Sequence, residues 1–431
     1  MTVRAIRVWW VIVLFAFSLG SGVLWLASRQ PLSDANPETT TVRIGVVCSV
    51  NQSQEGYMFL AELAREEINE YCEEIDSDFR FEFVYNCSDV SAENAIEITR
   101  WYAENDIKLV IGYEWSSHLH ASMRDILAED MAVISISATY YGWAGIWPNL
   151  FRLCPHEFKQ IEPLVRMMTD LGVTDVVIIY RSDYWERSFV NGLTHGNLTG
   201  FMEKFKALGG NVTHAISYPQ EFWTMGPDGY MVMWEKYLGK LESAIKEILN
   251  STGTDAVLLV DYPGGVEYLL MKAVEYPALM NVTWFTTEPS STHCIIDLAG
   301  EIAAQLKLIH PSFTFEKTAA YDRIHEAYRN EFNHTLGFYS ANIYDGCWLM
   351  ALSVIEADTV NSTAIIKTLP GVAFTYEGAT GSCAIDESYY RARADYDVYG
   401  FYKVDGETQR LKCGFYNATK DEITWDKELT H

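Results

Sequence analysis

Small hydroxyl side chains follow two short, mainly apolar runs in the first third of the chain. Residues 109–112 and 133–136 are typical of buried strands. The hydroxyl residues that follow them are Ser116, Ser117, Ser137 and Thr139. In an open parallel sheet, ligands bind beyond the carboxyl ends of the strands, where hydroxyls and helix amides can hold an anion such as a carboxylate. The structural alternative is that the serines cap the next helix and Thr139 lies in a plain turn.

Strand-like and helix-like runs alternate from residue 41 onward, which predicts parallel sheets covered by helices on both faces. The first series has strands at residues 42–47, 80–85, 107–112 and 132–136. The second series has strands at residues 175–180, 211–217, 255–260 and 282–286. We therefore expect an α/β protein with two lobes, each built on its own parallel sheet.

The N-terminal segment predicts a membrane anchor. Residues 8–28 are almost wholly apolar and flanked by arginines, and a helix of this length can span a bilayer. Positive charge before the span places residues 1–7 in the cytoplasm and the remainder outside the cell, as a single-pass membrane protein. Residues 29–40 are polar and contain two prolines, which is typical of a linker. A cleaved signal peptide, ending near Ser18 or Gly20, is the alternative.

Asparagine usage also favours an exterior location. The sequence contains many Asn-x-Ser/Thr acceptors for N-glycosylation, more than chance placement would give. They are Asn51, Asn86, Asn197, Asn211, Asn250, Asn281, Asn333, Asn361 and Asn417. We expect a glycoprotein, although any single acceptor can stay unmodified.

Eight cysteines in an exported domain are compatible with disulfides, and the sequence alone does not fix their pairing. Cys48 and Cys87 each follow the end of a predicted strand, so their side chains could meet if those strands are neighbours. Cys383 and Cys413 bracket a late strand-rich stretch and could staple it. Both pairs are hypotheses.

Two classes of function are disfavoured. The chain has 58 acidic and 32 basic residues, a formal net charge of -26, which makes nucleic acid a poor partner. No nucleophile elbow, HExxH motif, P-loop or pair of catalytic carboxylates is present. His118 and His120 are two residues apart on a predicted helix and point to different faces, which makes a poor metal pair. We expect no enzyme activity, no metal and no cofactor.

Several short motifs follow one another in a fixed order over roughly residues 41–407. They include VIGYEWSS, VISISAT, FRLCP, VVIIYRSDYWERS, AVLLVDYPGG and WFTTEP. This order resembles the type I periplasmic binding proteins for branched-chain amino acids, a family that also supplies extracellular ligand-binding domains of receptors. The resemblance implies two Rossmann-like lobes joined by three crossover segments. It places the N-terminal lobe at residues 41–155 plus 310–368 and the C-terminal lobe at residues 156–309 plus 369–420.

The resemblance also implies roles for individual side chains. The four hydroxyl residues named above would hold a ligand carboxylate, and Tyr184 and Tyr262 would lean on the ligand from the second lobe. Glu288 would pair with a ligand ammonium, so that the cleft takes a zwitterion. The alternative is that the tyrosines lie on the surface and Glu288 is an exposed loop acid. The sequence departs from the family at residues 48–56, a loop without the usual glycines, and at Trp185, where a glycine is common.

These features predict a membrane-tethered solute-binding protein that captures an amino acid or similar small zwitterion. It would deliver this ligand to the permease of an ABC transporter, with lobe closure about the crossover segments. The alternative is a ligand-sensing ectodomain that acts through a separate membrane signalling partner. Only about seven residues precede the predicted anchor, so we expect no signalling domain in this chain.

Overall fold

A computed structural model describes residues 39–194, 197–219, 226–249, 254–261, 266–288 and 293–429. The predicted anchor at residues 8–28, the acceptor Asn250 and the predicted ligand contact Tyr262 lie outside these ranges. Within the ranges, no single helix is long and apolar enough to cross a bilayer, and one pair of helices bent by 112° passes the same test jointly. The stretch Thr40–His431 forms one compact unit.

The first sheet is built from the N-terminal strands. They are β1 (Thr40–Cys48), β2 (Phe79–Cys87), β3 (Leu109–Gly112), β4 (Ala132–Ser135) and β5 (Leu150–Arg152). The intervening helices are α1 (Asn51–Glu74), α2 (Ala92–Glu104) and α3 (Ser116–Ala128). All five strands are parallel, in the order β2-β1-β3-β4-β5. The four strands predicted here are confirmed to within about two residues at each end.

The second sheet follows in the chain. Its parallel strands are β6 (Val173–Arg181), β7 (Asn211–Tyr218), β8 (Thr254–Val260), β9 (Thr283–Thr286) and β10 (Ile309–Phe313). The accompanying helices are α4 (Phe158–Asp170), α5 (Tyr184–Asn191), α6 (Phe201–Ala207), α7 (Gly226–Ile248), α8 (Val266–Ala273) and α9 (His293–Gln305). The predicted strands of this lobe are confirmed as well, so the chain has the expected α/β fold, with the strands named so far parallel in each sheet.

The last quarter of the chain contributes to both lobes. Its helices are α10 (Ala319–Phe332), α11 (Phe338–Ala357) and α12 (Ser362–Thr375), followed by the short pair β11 (Glu377–Gly378) and β12 (Gly381–Ser382). Its final strands are β13 (Tyr396–Val404), β14 (Glu407–Asn417) and β15 (Glu422–Trp425). These three are antiparallel and extend the second sheet to the order β15-β14-β13-β10-β9-β8-β6-β7.

Both faces of the first sheet are buried, which explains why its strands are continuous apolar runs. Ile44, Ile111 and Ile134 point to one face, where α1, α10, α11 and α12 cover them. Val110 and Val133 point to the opposite face, against α2 and α3. Because both faces of the sheet are packed, the backbone groups that can still bind a ligand lie at the ends of the strands.

The chain crosses between the lobes after β5, after β10 and again before β13. The expected return to the second lobe at Leu369 is wrong. Leu369 and Cys383 lie in the core of the first lobe, and Tyr390 forms a parallel bridge with Arg152 at the edge of the first sheet. The physical reason is that α12 and the β11-β12 pair cover apolar surface of the first sheet before the chain leaves it.

The cysteine pairs have different outcomes. Cys48 and Cys87 are direct partners in the register of β1 and β2, so the strands are neighbours and the two side chains meet. Both are free thiols here, and burial raises the pKa of Cys48. Cys383 lies in the core of the first lobe and Cys413 in a core of the second. The proposed staple between Cys383 and Cys413 is therefore wrong.

Candidate functional site

Ser116 and Ser117 begin α3, with three residues between this helix and the end of β3. The N-cap of this helix is Trp115, which makes no side-chain capping bond, so the interpretation of these serines as helix caps is wrong. The Ser116 hydroxyl oxygen accepts a hydrogen bond from the Tyr140 backbone N–H at 3.3 Å, which ties the loop after β4 to the start of α3. Ser117 is exposed beside it. Both hydroxyls lie at the carboxyl end of β3, as the sequence pattern predicted.

Glu114 is a half-buried acid beneath this wall, and sequence reasoning missed it. Its carboxylate accepts hydrogen bonds from the Tyr57 hydroxyl and from the Ser49 backbone N–H. Its backbone carbonyl accepts from the Ser137 hydroxyl at 2.9 Å. Burial raises the pKa of Glu114, and the hydrogen bonds from Tyr57 and Ser49 oppose that shift. To bind a ligand carboxylate, the Ser137 hydroxyl would have to turn away from the Glu114 carbonyl.

Tyr184 faces the first lobe from the start of α5. Its side chain is 62% exposed. Its ring centroid lies 5.2 Å from that of His120 and 6.2 Å from that of Tyr140, both in the first lobe. His120 in turn stacks on Trp143 at 5.3 Å. Tyr184 thus lies across the space between the lobes, where an aromatic ring can cover a bound molecule.

Three acidic side chains surround one arginine at the carboxyl edge of the second sheet. Arg181, the last residue of β6, lies 2.7 Å from Asp183, 3.0 Å from Glu186 and 3.7 Å from Asp261. Arg181, Glu186 and Asp261 are buried. Burial raises the pKa of Asp183, and Arg181 opposes that shift. Arg187 also opposes the rise in the pKa of Asp183, so three carboxylates share two guanidiniums and one negative charge remains in excess, which favours a cationic group.

These acids could have been found in the sequence from their positions just after predicted strands. Asp183 and Glu186 follow β6 within a few residues, and Asp261 directly follows β8. A cavity of about 430 Å³ lies beside the cluster, at the carboxyl ends of β6 and β7, with Asp183, Tyr184 and Tyr218 among its lining residues. This volume is in the range of small-molecule sites. The second lobe therefore offers both space and negative charge at the edge where ligands of parallel sheets bind.

Glu288 is buried, so the interpretation of it as an exposed loop acid is wrong. Its carboxylate accepts from the Phe313 backbone N–H and from the Tyr339 hydroxyl, each at 2.6 Å. Its own N–H donates to the Gln160 side chain at 3.1 Å. Burial raises the pKa of Glu288. Because Tyr339 belongs to α11 of the first lobe, Glu288 joins the two lobes at the crossing after β10.

Trp185 and Ser188, one turn apart on α5, bond to the segments where the first lobe meets the second. The Trp185 indole N–H donates to the Thr139 hydroxyl oxygen at 2.6 Å. The Ser188 hydroxyl donates to the Glu157 carboxylate at 3.1 Å, and the same Glu157 oxygen accepts from the Tyr141 backbone N–H at 3.0 Å. Burial raises the pKa of Glu157 to about 8. The end of β4 and the second lobe are thus held together by direct hydrogen bonds.

The histidines of the first lobe have structural partners. His118 is buried, its Nδ1 lies 3.0 Å from the Ser88 hydroxyl, and burial lowers the pKa of His118 to about 4. Among the described residues, no group of three or more His, Cys, Asp or Glu side chains is arranged to hold a metal ion.

Known proteins of similar sequence and of similar fold cover most of this chain. An uncharacterised protein of Methanocaldococcus jannaschii is 22% identical over 423 residues, 90% of this chain and 95% of that protein. An ABC transporter substrate-binding protein of Desulfitobacterium hafniense in complex with Leu matches at 20% identity and a TM-score of 0.65, over 86% of this chain and 100% of that one. A leucine binding protein from Thermotoga maritima matches at 16% identity and a TM-score of 0.67, over 88% and 99%.

A third solved structure widens the range of ligands seen on this fold. A solute binding protein of an ABC transporter from Rhodopseudomonas palustris, in complex with 3,4-dihydroxybenzoic acid, matches at 16% identity and a TM-score of 0.65, over 88% of this chain and 98% of that one. The family model described as the receptor family ligand binding region matches residues 61–403, most of the chain. The chain therefore belongs to this ligand-binding family of type I periplasmic binding protein fold, as the order of its motifs predicted.

Proposed function

We propose that this protein is an extracellular solute-binding protein that captures an amino acid or similar small zwitterion between its lobes and delivers it to an ABC transporter. The observation that carries the proposal is the opposite chemistry of the two walls. The first lobe presents the Ser116 and Ser117 hydroxyls at the end of β3, and the second presents three carboxylates around Arg181.

This polarity matches the two ends of a zwitterion. A ligand carboxylate would accept hydrogen bonds from the hydroxyl wall, with Ser116, Ser117 and Ser137 as donors. A ligand ammonium would lie toward the acid-rich wall around Asp261, with Glu288 as a second acid near the crossing after β10. Charge-assisted hydrogen bonds at both ends give such a ligand both affinity and a fixed orientation. Tyr184 would cover it from the second lobe.

Isothermal titration of the purified domain tests the ligand class. The panel contains leucine, isoleucine, valine, alanine and glycine, together with 3,4-dihydroxybenzoate. Two matched analogues of leucine complete it: 4-methylpentanoate lacks the amine, and isoamylamine lacks the carboxylate. We expect at least one amino acid to bind and the leucine analogues to bind at least tenfold more weakly than leucine, because each lacks one charged end. Absence of heat with every amino acid, or equal affinity for 4-methylpentanoate and leucine, contradicts the proposal.

A second candidate function is supported by the family itself, which is described as a ligand binding region of receptors. The protein would then report ligand to a separate membrane signalling partner. Genes for a permease and an ATPase beside this gene favour transport, whereas genes for a kinase or chemotaxis protein favour sensing. Uptake of the radiolabelled ligand in cells with and without the gene decides between them, because only the transport function requires uptake to fall in the deletion.

We propose further that the domain lies outside the cell, tethered by residues 8–28. Six of the eight glycosylation acceptors in the described chain are exposed, and Asn86 and Asn417 are half-buried. Cys48 and Cys87 are partners in the register of β1 and β2, and we expect them to form a disulfide in an oxidising exterior. Mass spectrometry of the native protein, by glycopeptide analysis and non-reduced peptide mapping, tests both. Unmodified asparagines at all acceptors and free thiols at both cysteines contradict the exterior location.

A further inference from the structure

The Trp185 indole lies where α5 of the second lobe meets the loop after β4 of the first. Its N–H donates to the Thr139 hydroxyl oxygen at 2.6 Å, from the start of α5 to the loop after β4. Trp185 is 1% exposed and Thr139 is 8% exposed, so water competes little for this hydrogen bond. A hydrogen bond between buried groups on different lobes holds those lobes at a fixed separation.

The indole is fixed from its own side as well. Its ring stacks on Phe189 at 5.6 Å, and Phe189 stacks on Phe201 in the core of the second lobe. The Asp183 carboxylate caps α5 by accepting the backbone N–H groups of Trp185 and Glu186 at 2.9 and 3.2 Å. Because both the ring and the backbone are anchored, the indole cannot swing aside without disrupting this core.

The acceptor loop is equally well held. The Glu157 backbone N–H donates to the Thr139 carbonyl at 3.0 Å, and the Glu157 carboxylate accepts from the Tyr141 N–H and the Ser188 hydroxyl. Ser188 lies one turn after Trp185 on the same face of α5. Trp185 thus bonds directly to the loop after β4, and Ser188 bonds to Glu157, which is itself hydrogen-bonded to that loop.

We propose that Trp185 is a specificity-determining residue. Its N–H occupies the Thr139 hydroxyl, which is then unavailable to a ligand, and its indole fills the space beside that hydroxyl. A ligand is then restricted to the part of the cleft lined by Ser116 and Ser117, which selects small amino acids over bulky ones. Thr139, predicted as a ligand contact, becomes a positioning residue that acts through Trp185. This inference rests on the proposed function, because it concerns the size of the ligand that the cleft accepts.

A double-mutant cycle tests the hydrogen bond without any ligand. The variants are Trp185→Phe, which keeps an aromatic ring without the donor, and Thr139→Val, which keeps the shape without the acceptor. In urea unfolding, Trp185→Phe raises the equilibrium constant of unfolding by some factor in the wild type. We expect that factor to be about fivefold smaller in the Thr139→Val background, where the hydrogen bond is already absent. Thr139→Ser retains the hydroxyl and should retain the coupling. Additive effects of the two substitutions overturn the proposal.

Ligand selectivity provides the second test. We expect Trp185→Gly to shift the ratio of phenylalanine affinity to alanine affinity about tenfold or more toward phenylalanine, because space is opened beside Thr139. Trp185→Phe and Thr139→Val should each weaken amino-acid binding about fivefold, and the double variant should be no weaker than either. A double variant about 25-fold weaker than the wild type would show that Thr139 contacts the ligand itself and overturns the proposal.

The two tests separate this inference from the proposed function. If no amino acid binds the wild type, the ligand class is wrong, and the urea cycle still decides whether Trp185 couples to Thr139. If amino acids bind and the cycle shows no coupling, the proposed function stands and the role of Trp185 is wrong. An unchanged size preference in Trp185→Gly, with the variant folded, also overturns the role of Trp185.

Discussion

The two walls of the cleft are built at equivalent places, the carboxyl ends of parallel strands, yet they use different chemistry. The first-lobe wall contains neutral hydroxyls, and Ser116 and Ser137 are held by backbone groups. The second-lobe wall contains charged side chains that pair with Arg181. Sheet topology therefore supplies the place for a site, whereas the strand-end residues decide which charge the site accepts.

The largest expected effect is on the charged wall. Replacing Arg181→Met leaves Asp183, Glu186 and Asp261 facing one another, and we expect a loss of about 3–5 kcal/mol in the free energy of unfolding. Arg100→Met is the matched control, because Arg100 pairs with Asp125 at 2.9 Å while 61% of its side chain is exposed. That change should cost less than about 1 kcal/mol in urea unfolding. Equal losses in the two variants would mean that Arg181 stabilises the acid-rich wall no more than Arg100 stabilises its exposed ion pair.

The next effect concerns Glu157, where the two lobes meet. Burial raises its pKa from 4.5 to about 8, so the folded protein favours the protonated acid. The stability that this proton provides is fully present below about pH 4.5 and is lost as the pH rises toward 8. Glu157→Gln stays neutral and keeps the acceptor oxygen. We therefore expect it to be more stable than the wild type by about 3 kcal/mol at pH 7 and indistinguishable at pH 4.

Thermal unfolding of both proteins from pH 4 to pH 9 measures this difference. Ser188→Ala is a useful control, because it removes the hydrogen bond to Glu157 without changing a titratable group. Its stability difference from the wild type should vary much less with pH. A Glu157→Gln difference that stays constant over this pH range contradicts the raised pKa of Glu157.

A smaller effect tests which end of the ligand each wall binds under the proposed function. We expect Asp261→Asn to lower leucine affinity about tenfold and to leave the weak affinity for 4-methylpentanoate within about twofold. Ser137→Ala should lower the affinity for both ligands about fivefold, since both carry the carboxylate. Isothermal titration of the two ligands on the two variants measures this. If Asp261→Asn weakens both ligands equally, the acid-rich wall does not bind the ammonium.

The smallest expected effect is on the hydroxyl wall without ligand. Ser116→Ala removes the acceptor for the Tyr140 backbone N–H, and we expect a loss of about 1 kcal/mol in the free energy of unfolding. Ser117→Ala, at the exposed neighbouring position, should change stability by less than about 0.5 kcal/mol. Urea unfolding compares the two. A loss in Ser116→Ala as large as that in Arg181→Met would contradict the contrast between the walls.

The elements of the fold were predictable because their signals are local. A buried parallel strand is a short apolar run, and residues 109–112 carry that pattern without any knowledge of their neighbours. The hydroxyls after the strands could be placed at the sheet edge for the same reason. Glu114 could not, because its partner Tyr57 lies 57 residues away in the sequence. Which polar side chains meet beneath a wall depends on packing that the local pattern does not contain.

The wrong disulfide shows a second limit of the sequence. Cys383 and Cys413 are only 30 residues apart and both flank strand-like segments. The chain passes from the first lobe to the second between them, after Tyr390 and before β13. Cys48 and Cys87 were predictable as neighbours because each follows a strand of the same series. Predicting which cysteines meet requires knowing where the chain changes lobe, and a short apolar pattern does not indicate that point.

The three crossings have a consequence for biosynthesis. One face of the first sheet is covered by α10, α11 and α12, and the second sheet ends in β13, β14 and β15. While a ribosome is still making the C-terminal quarter, both lobes therefore lack part of their core, and apolar faces on residues such as Ile44 and Ile134 are uncovered. Neither lobe can complete its folding before the chain is nearly finished, so the nascent chain needs shielding from aggregation until residues of the last strands emerge.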